Sequence, residues 1–274
     1  MWRKVLVTLM AATMMVGSTA MAAGTLTISG SSSMYNLVYD LSGSKTGATT
    51  GYNIANPSNK IGFTITESDS GSGIKDVAAG TVNIGDSSRE LTAAEIASGL
   101  KATVICKDAV AMIVNKNNTL VNNLTSAQIA GIYNGTYTNW SQVGGASQPI
   151  VVYTREVGSG TRSFFVSTFL GGTDTIKSTA TVYKSTELIR AAVAANPYAI
   201  GYISLGSVDS TVKATSLNGV AATVANAKAG TYTAVRNFNM VTKGAPTGNA
   251  QLFINWILTS AGQAIVTKDG EISL

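Results

Sequence analysis

The stretch IVVYTREVGSGTRSFFVSTFL, from Ile150 to Leu170, decides the fold. Its first five residues are all β-branched or aromatic and suit a strand, REVGSG is small and polar enough to turn, and TRSFFVSTFL reads as a helix. Strand, small polar turn and helix make the unit of a parallel sheet, whose ligands collect where the strands end and the next helices begin. A helix start carries unpaired N–H groups and a partial positive charge, so it favours an anion. Arg155 adds a planar charged fork suited to a tetrahedral oxyanion, Ser159 and Thr161 add hydroxyl donors, and Gly160 lets backbone come close. The plain alternative is a capped turn with Arg155 paired to Glu156. Arg162 is expected to point away along the helix, with Phe164 and Phe165 anchoring it in the core.

The same unit recurs three times upstream. Thr25–Ser29 runs into Gly30-Ser31-Ser32-Ser33 and the helical MYNLVYDL; Ile61–Thr66 runs into SDSGSG and then IKDVAAG. Thr81–Ile84 runs into GDSSREL and a helix opened by Thr92 and Glu95, a capping box. Further strands are expected at Asp108–Val114, Ala199–Ser204 and Phe238–Thr242. Further helices are expected from Thr125, over Thr186–Ala195 and over Ala250–Leu258, while the Gly-, Thr- and Asn-rich Ser42–Lys60 reads as loop. Four such junctions argue for α/β architecture with largely parallel sheets.

Arg3 and Lys4, an apolar run of about a dozen residues and Ala20-Met21-Ala22 have the form of a secretory leader, residues 1–22; a membrane span needs roughly 20 apolar residues. The single cysteine, Cys106, stands far from the cleavage site, so the mature chain is expected to be periplasmic without a lipid anchor, and it can form no internal disulfide. About 250 residues remain, with 17 basic and 14 acidic side chains once Arg3 and Lys4 are removed. That balance is too mild to argue for nucleic acid. Histidine is absent, which excludes a Ser-His-Asp hydrolase, and the carboxylates show no metal-ligand spacing. Ser42-Gly-Ser-Lys45 and Lys45-Thr46-Gly47 mimic β-lactamase motifs but share one lysine, and Ser159-Gly160-Thr161 lacks the ending of a nucleotide P-loop.

Taken in order, GSSSM, SDSGSGIK, VNIGDSSREL, CKDAVAMIVN, LTSAQIAGIYNGTYTNW, REVGSGTRSFF, AIGYISL and RNFNMVTKG resemble the phosphate-binding proteins of bacterial ABC phosphate uptake. IYNGTYTNW followed by REVGSGTR is the most telling part. The resemblance implies a type II periplasmic binding fold, two α/β lobes with mostly parallel sheets flanked by helices, joined by a two-strand hinge and closing on one phosphate. Carried over residue by residue, it implies ligand contacts from Ser32, Ser33, Ser70, Ser88, Arg155, Ser159, Gly160 and Thr161, and a structural role for Asn139-Trp140. Many relatives place an aspartate where Ser88 stands; Asp86 could substitute if turned inward, and Arg89 could reach the site or pair elsewhere.

The expected lobes are residues 23–106 with 243–274, and residues 107–242. The expected activity is reversible capture of inorganic phosphate by a monomer and delivery to an ABC permease, with no cofactor, no metal and no catalysis. A carrier of sulfate, molybdate or arsenate, an exported phosphate-ester hydrolase, and a structural protein on the same fold are the alternatives.

Overall fold

The structure is a computed structural model that describes residues 24–274; the expected leader lies outside the described residues. The strands are β1 (Thr25–Ser31), β2 (Gly62–Ser68), β3 (Ile84–Ser87), β4 (Leu100–Asn115), β5 (Asn123–Leu124), β6 (Val151–Arg155), β7 (Thr181–Tyr183), β8 (Ala199–Ser204), β9 (Val212–Ala214), β10 (Ser216–Leu217) and β11 (Val235–Lys243). The helices are α1 (Tyr35–Ser42), α2 (Tyr52–Ala55), α3 (Ser70–Ala79), α4 (Ala93–Ala97), α5 (Ser126–Tyr133), α6 (Gly160–Phe169), α7 (Thr186–Ala195), α8 (Val224–Lys228), α9 (Gly248–Ile257) and α10 (Ser260–Lys268).

One hydrogen-bonded path runs β2-β1-β3-β11-β4-β8-β6-β7, with β9 also on β4. The outer strands are parallel, β1 to β2 and β3, and β6 to β7 and β8, as strand–turn–helix units require. The central β4 and β11 are antiparallel to each other. Their register shifts between Phe238 and Asn239, a bulge that bends a strand and increases its twist. The long β4 passes from one lobe to the other: its first part pairs with β11, and Val110–Val114 pairs with β8.

Two main cores lie on either side of this crossing. One gathers Leu26, Ile28, Cys106, Phe238, Met240 and Phe253 between β1, β4, β11 and the C-terminal helices. The other gathers Val110, Tyr133, Trp140, Phe165 and Tyr202. Trp140 is buried and donates its indole N–H to the Tyr198 carbonyl (3.0 Å), while Asn139 caps the short 3-10 helix Trp140–Val143. Phe165 lies flat on Tyr202 with ring centroids 4.3 Å apart, and so anchors α6 on β8 at its second turn.

Several boundaries differ from expectation for local reasons. The residues Thr81–Asn83 complete the turn after α3, whose C-cap Gly80 is left-handed, so β3 begins at Ile84 and takes in Asp86 and Ser87. Ser70-Gly71-Ser72-Gly73 is helix rather than turn, because Asp69 caps α3 by accepting from the Ser72 N–H (2.9 Å). Both capping boxes form, Thr92 with Glu95 and Thr125 with Gln128. The short α2 lies inside the expected loop, and α10 follows α9 after a turn at Thr259.

Candidate functional site

Four helix starts meet at the cleft between the lobes. From the first lobe come the turn before α1, with Ser32 and Ser33, and the start of α3, with Ser70; Ser88 follows β3. From the second come the start of α6, with Ser159, Gly160 and Thr161, and the start of α7, with Thr186. All seven hydroxyl side chains are buried.

The lobes are closed on one another. Ser33 Oγ lies 2.9 Å from Thr161 Oγ1 and 3.1 Å from Thr186 Oγ1, and Ser32 Oγ accepts from the Thr186 N–H (3.2 Å). The Gly71 N–H donates to the Gly158 carbonyl (3.0 Å) across the same gap. Within the first lobe, Ser31 Oγ donates to Ser88 Oγ (2.8 Å), and Ser70 Oγ accepts from the Ser88 N–H (3.1 Å). Gly160 fits between these groups: a Cβ there would lie 2.4 Å from Ser70 Oγ and 2.6 Å from Ser88 Oγ. Ser159 caps α6, accepting from the Arg162 N–H (3.2 Å), which leaves its own proton free to donate elsewhere.

Arg155 is 2% exposed at the end of β6. Its Nε and Nη2 donate to both carboxylate oxygens of Glu156 (2.9 and 2.7 Å), while Nη1 reaches Thr186 Oγ1 (3.4 Å). The pairing with Glu156 and burial in the cleft thus coexist. A second guanidinium, that of Arg236 on β11, donates to Thr161 Oγ1 (2.9 Å) and forms an ion pair with the buried Asp108 (2.6 Å). Each of these two arginines is paired with a carboxylate, and the other converging groups are neutral donors.

The expected contacts Ser32, Ser33, Ser70, Ser88, Arg155, Ser159, Gly160 and Thr161 therefore come together. Asp86 and Arg89 do not join them. The Asp86 carboxyl is buried behind the first loop against Gly30, where a Cβ would lie 2.0 Å from Oδ1. Burial raises its pKa to about 7, although the Ser31 N–H partly opposes the shift. Arg89 turns outward and grips both oxygens of Glu95 (2.8 Å each). Arg162 also differs from expectation: it does not simply point away along the helix but is largely covered, bonding the Arg155 carbonyl and Asp174. Phe164 is only partly buried, beneath the Arg236 guanidinium.

Sequence reasoning missed Thr186 and Arg236. The pair Ser185-Thr186 opens a helix after a strand, the pattern that marked the other junctions, and could have been read as a fifth. Arg236 stands in alternation with the apolar Phe238 and Met240, a signal that such a charge is buried and paired.

A mixed sheet divided between two lobes, with polar helix starts facing across the cleft, defines a two-lobed α/β binding protein. A family profile described as "PBP superfamily domain" matches residues 17–261. The chain is 31% identical to the phosphate-binding protein PstS of Bacillus subtilis over 92% of this chain and 81% of that protein. It is 41% identical to phosphate-binding protein PstS 2 of Streptococcus agalactiae over 46% of each chain, so that match spans about half the length of the relative. A solved putative phosphate ABC transporter substrate-binding protein with bound phosphate, from Clostridium perfringens, superposes with a TM-score of 0.83 at 34% identity, covering 91% of this chain and 99% of that one. An ABC-type phosphate transport receptor from Vibrio cholerae gives a TM-score of 0.71 at 32% identity, covering 91% and 100%. The chain belongs to the PBP superfamily and, within it, to the family of the PstS phosphate-binding proteins.

Proposed function

We propose that this protein captures inorganic phosphate between its lobes and delivers it to an ABC permease outside the cytoplasm. The observation that carries the reading is the convergence of buried hydroxyls from four helix starts on one place beside Arg155. Ser32, Ser33 and Ser70, with Ser88, would donate from the first lobe; Ser159, Gly160, Thr161 and Arg155 would donate from the second. Because Arg155 and Arg236 are each matched by a carboxylate, the anion would be held by oriented donors rather than by excess positive charge. Lobe closure follows from contacts that a single anion makes with both sides.

Binding rather than catalysis fits the groups present. The sequence has no histidine, and among the described residues no cluster of metal-ligating side chains occurs. The cleft serines contact other hydroxyls, backbone groups and a cap, none of which is a base that could activate them. Among the described residues no helix is long and apolar enough to cross a membrane.

For the lobes, we place the first crossing near 106–109 and the second within β11 near 235–237, earlier than the expected 243. Phe238 and Met240 support this placement, since they pack with Leu26 and Phe253 and Met240 pairs with Asp86 of β3.

Calorimetry on mature protein stripped of anions tests the function. Phosphate should bind at micromolar concentration or below, and Arg155→Ala should weaken binding by roughly 2 to 5 kcal/mol, because Glu156 is left without its partner and the anion without a charged donor. Sulfate, molybdate and arsenate in competition separate this reading from another oxyanion carrier. A wild-type chain indifferent to phosphate rules it out.

A further inference from the structure

Arg236 stands where the hinge crosses, and its guanidinium donates to three different elements. Nη1 reaches Thr161 Oγ1 at the start of α6 (2.9 Å) and the Ser88 carbonyl after β3 (3.3 Å), while Nε reaches Asp108 Oδ2 on β4 (2.8 Å). It therefore touches one anion-facing residue from each lobe as well as its register partner on the hinge.

We propose that Arg236 is a positioning residue of the anion site, one that fixes the Thr161 hydroxyl as a proton donor when the lobes close. The proposal rests on the phosphate reading above. A guanidinium has donors and no acceptor, so in its bond with Thr161 the threonine oxygen must accept. The one threonine proton is then directed away from Arg236, toward Ser33 and the converging hydroxyls, as an anion requires. The positive charge beside the oxygen also strengthens that O–H as a donor.

The surroundings hold the guanidinium to this task. Asp108 is fully buried and takes its remaining bonds from Ser204 Oγ (2.7 Å) and the Leu205 N–H (3.3 Å), so it cannot swing away. Glu271 Oε1 stands 3.1 Å from the same Ser204 Oγ, and burial, then the charge on Asp108, drive the Glu271 pKa well above the ordinary carboxylate value. Phe164 and Phe238 present ring faces 5.9 and 5.3 Å from the guanidinium carbon. A buried ion pair that merely braced the hinge would affect stability, with no special dependence on Thr161.

A double-mutant cycle on the full mature chain separates the two roles. Arg236→Met with Asp108→Asn removes the pair without leaving a buried unpaired charge. Arg236→Lys is the gentler companion, which keeps the ion pair but loses the fork that spans to Thr161. Each is made with Thr161 and with Thr161→Val, checked for thermal unfolding, and titrated with inorganic phosphate. With Thr161 present, both changes should weaken phosphate binding about tenfold to a hundredfold. In the Thr161→Val chain they should alter it by less than about threefold. The same factor in both backgrounds, or no weakening in either, overturns the inference while leaving the phosphate reading intact. A wild-type chain that fails to bind phosphate overturns both.

Discussion

At Gly160 the helix backbone passes so close to Ser70 and Ser88 that a single methyl group has no place. Overpacking a tight contact costs about 1–3 kcal/mol. Because Gly160 belongs to one lobe and both of these serines to the other, the strain falls on the closed form and not on either lobe alone. Gly160→Ala should therefore weaken phosphate binding by about tenfold to a hundredfold in calorimetry, while the ligand-free protein melts within a few degrees of wild type. The hydroxyl groups of this site were legible in the sequence, because serine, threonine and glycine at a strand-to-helix junction already imply free donors and close approach. Arg236 was not, since its bonds join residues 75 and 128 positions away that only the tertiary fold brings together. Asp86 shows the reverse: two residues before Ser88 in sequence, it belongs to a strand, and the close packing at Gly30 keeps it behind the loop instead of inside the cleft.

Among the elements, α4 shows how a short helix is held by its ends. Its five residues could not persist alone, but Thr92 accepts from the Glu95 N–H, Glu95 accepts from the Thr92 N–H, and Arg89 clamps the same carboxylate. The Arg89 hydrogen bonds, ahead of the backbone bond from Thr92, pull the Glu95 pKa down to about 2. A carboxyl with a lowered folded-state pKa stabilises the fold above its unfolded pKa, near 4.5, and that contribution disappears as pH falls toward 2. Glu95→Gln should cost about 1 kcal/mol at pH 7, allowing for solvent screening, and nothing measurable near pH 2. Urea unfolding at the two pH values provides the check. The capping box was readable from Thr92-Ala93-Ala94-Glu95, whereas the start of β3 was not, since TVNI has strand composition throughout but its first three residues complete a helix-ending turn.

Across the whole molecule, the two lobes share β4, and Cys106 lies on that strand, fully buried in the first core. Burial raises its thiol pKa well above the ordinary value, so both access and ionisation disfavour reaction in the folded state. Labelling by a thiol reagent should proceed only through global opening. Phosphate at a hundred times its dissociation constant should slow that labelling by about a hundredfold, as stabilisation by ligand mass action requires. Equal rates with and without phosphate would show that the thiol is reached without releasing the ligand. The alternation of strand and helix made the α/β architecture readable and the family resemblance implied its two lobes, but the position of the second crossing depends on the pairing of β11 with β3.

The hinge has a further consequence for how such a chain can be rebuilt. Asp108 and Arg236 are register partners on adjacent antiparallel strands about 5 Å apart, so with the crossings placed as proposed the two ends of the second lobe leave the first side by side. In genetic terms the second lobe is an insertion whose entry and exit coincide, and the first lobe could be sealed across that gap by a tight hairpin. Recombination at these two points could therefore exchange one half of the cleft as a cassette while leaving the other half's strand order unbroken.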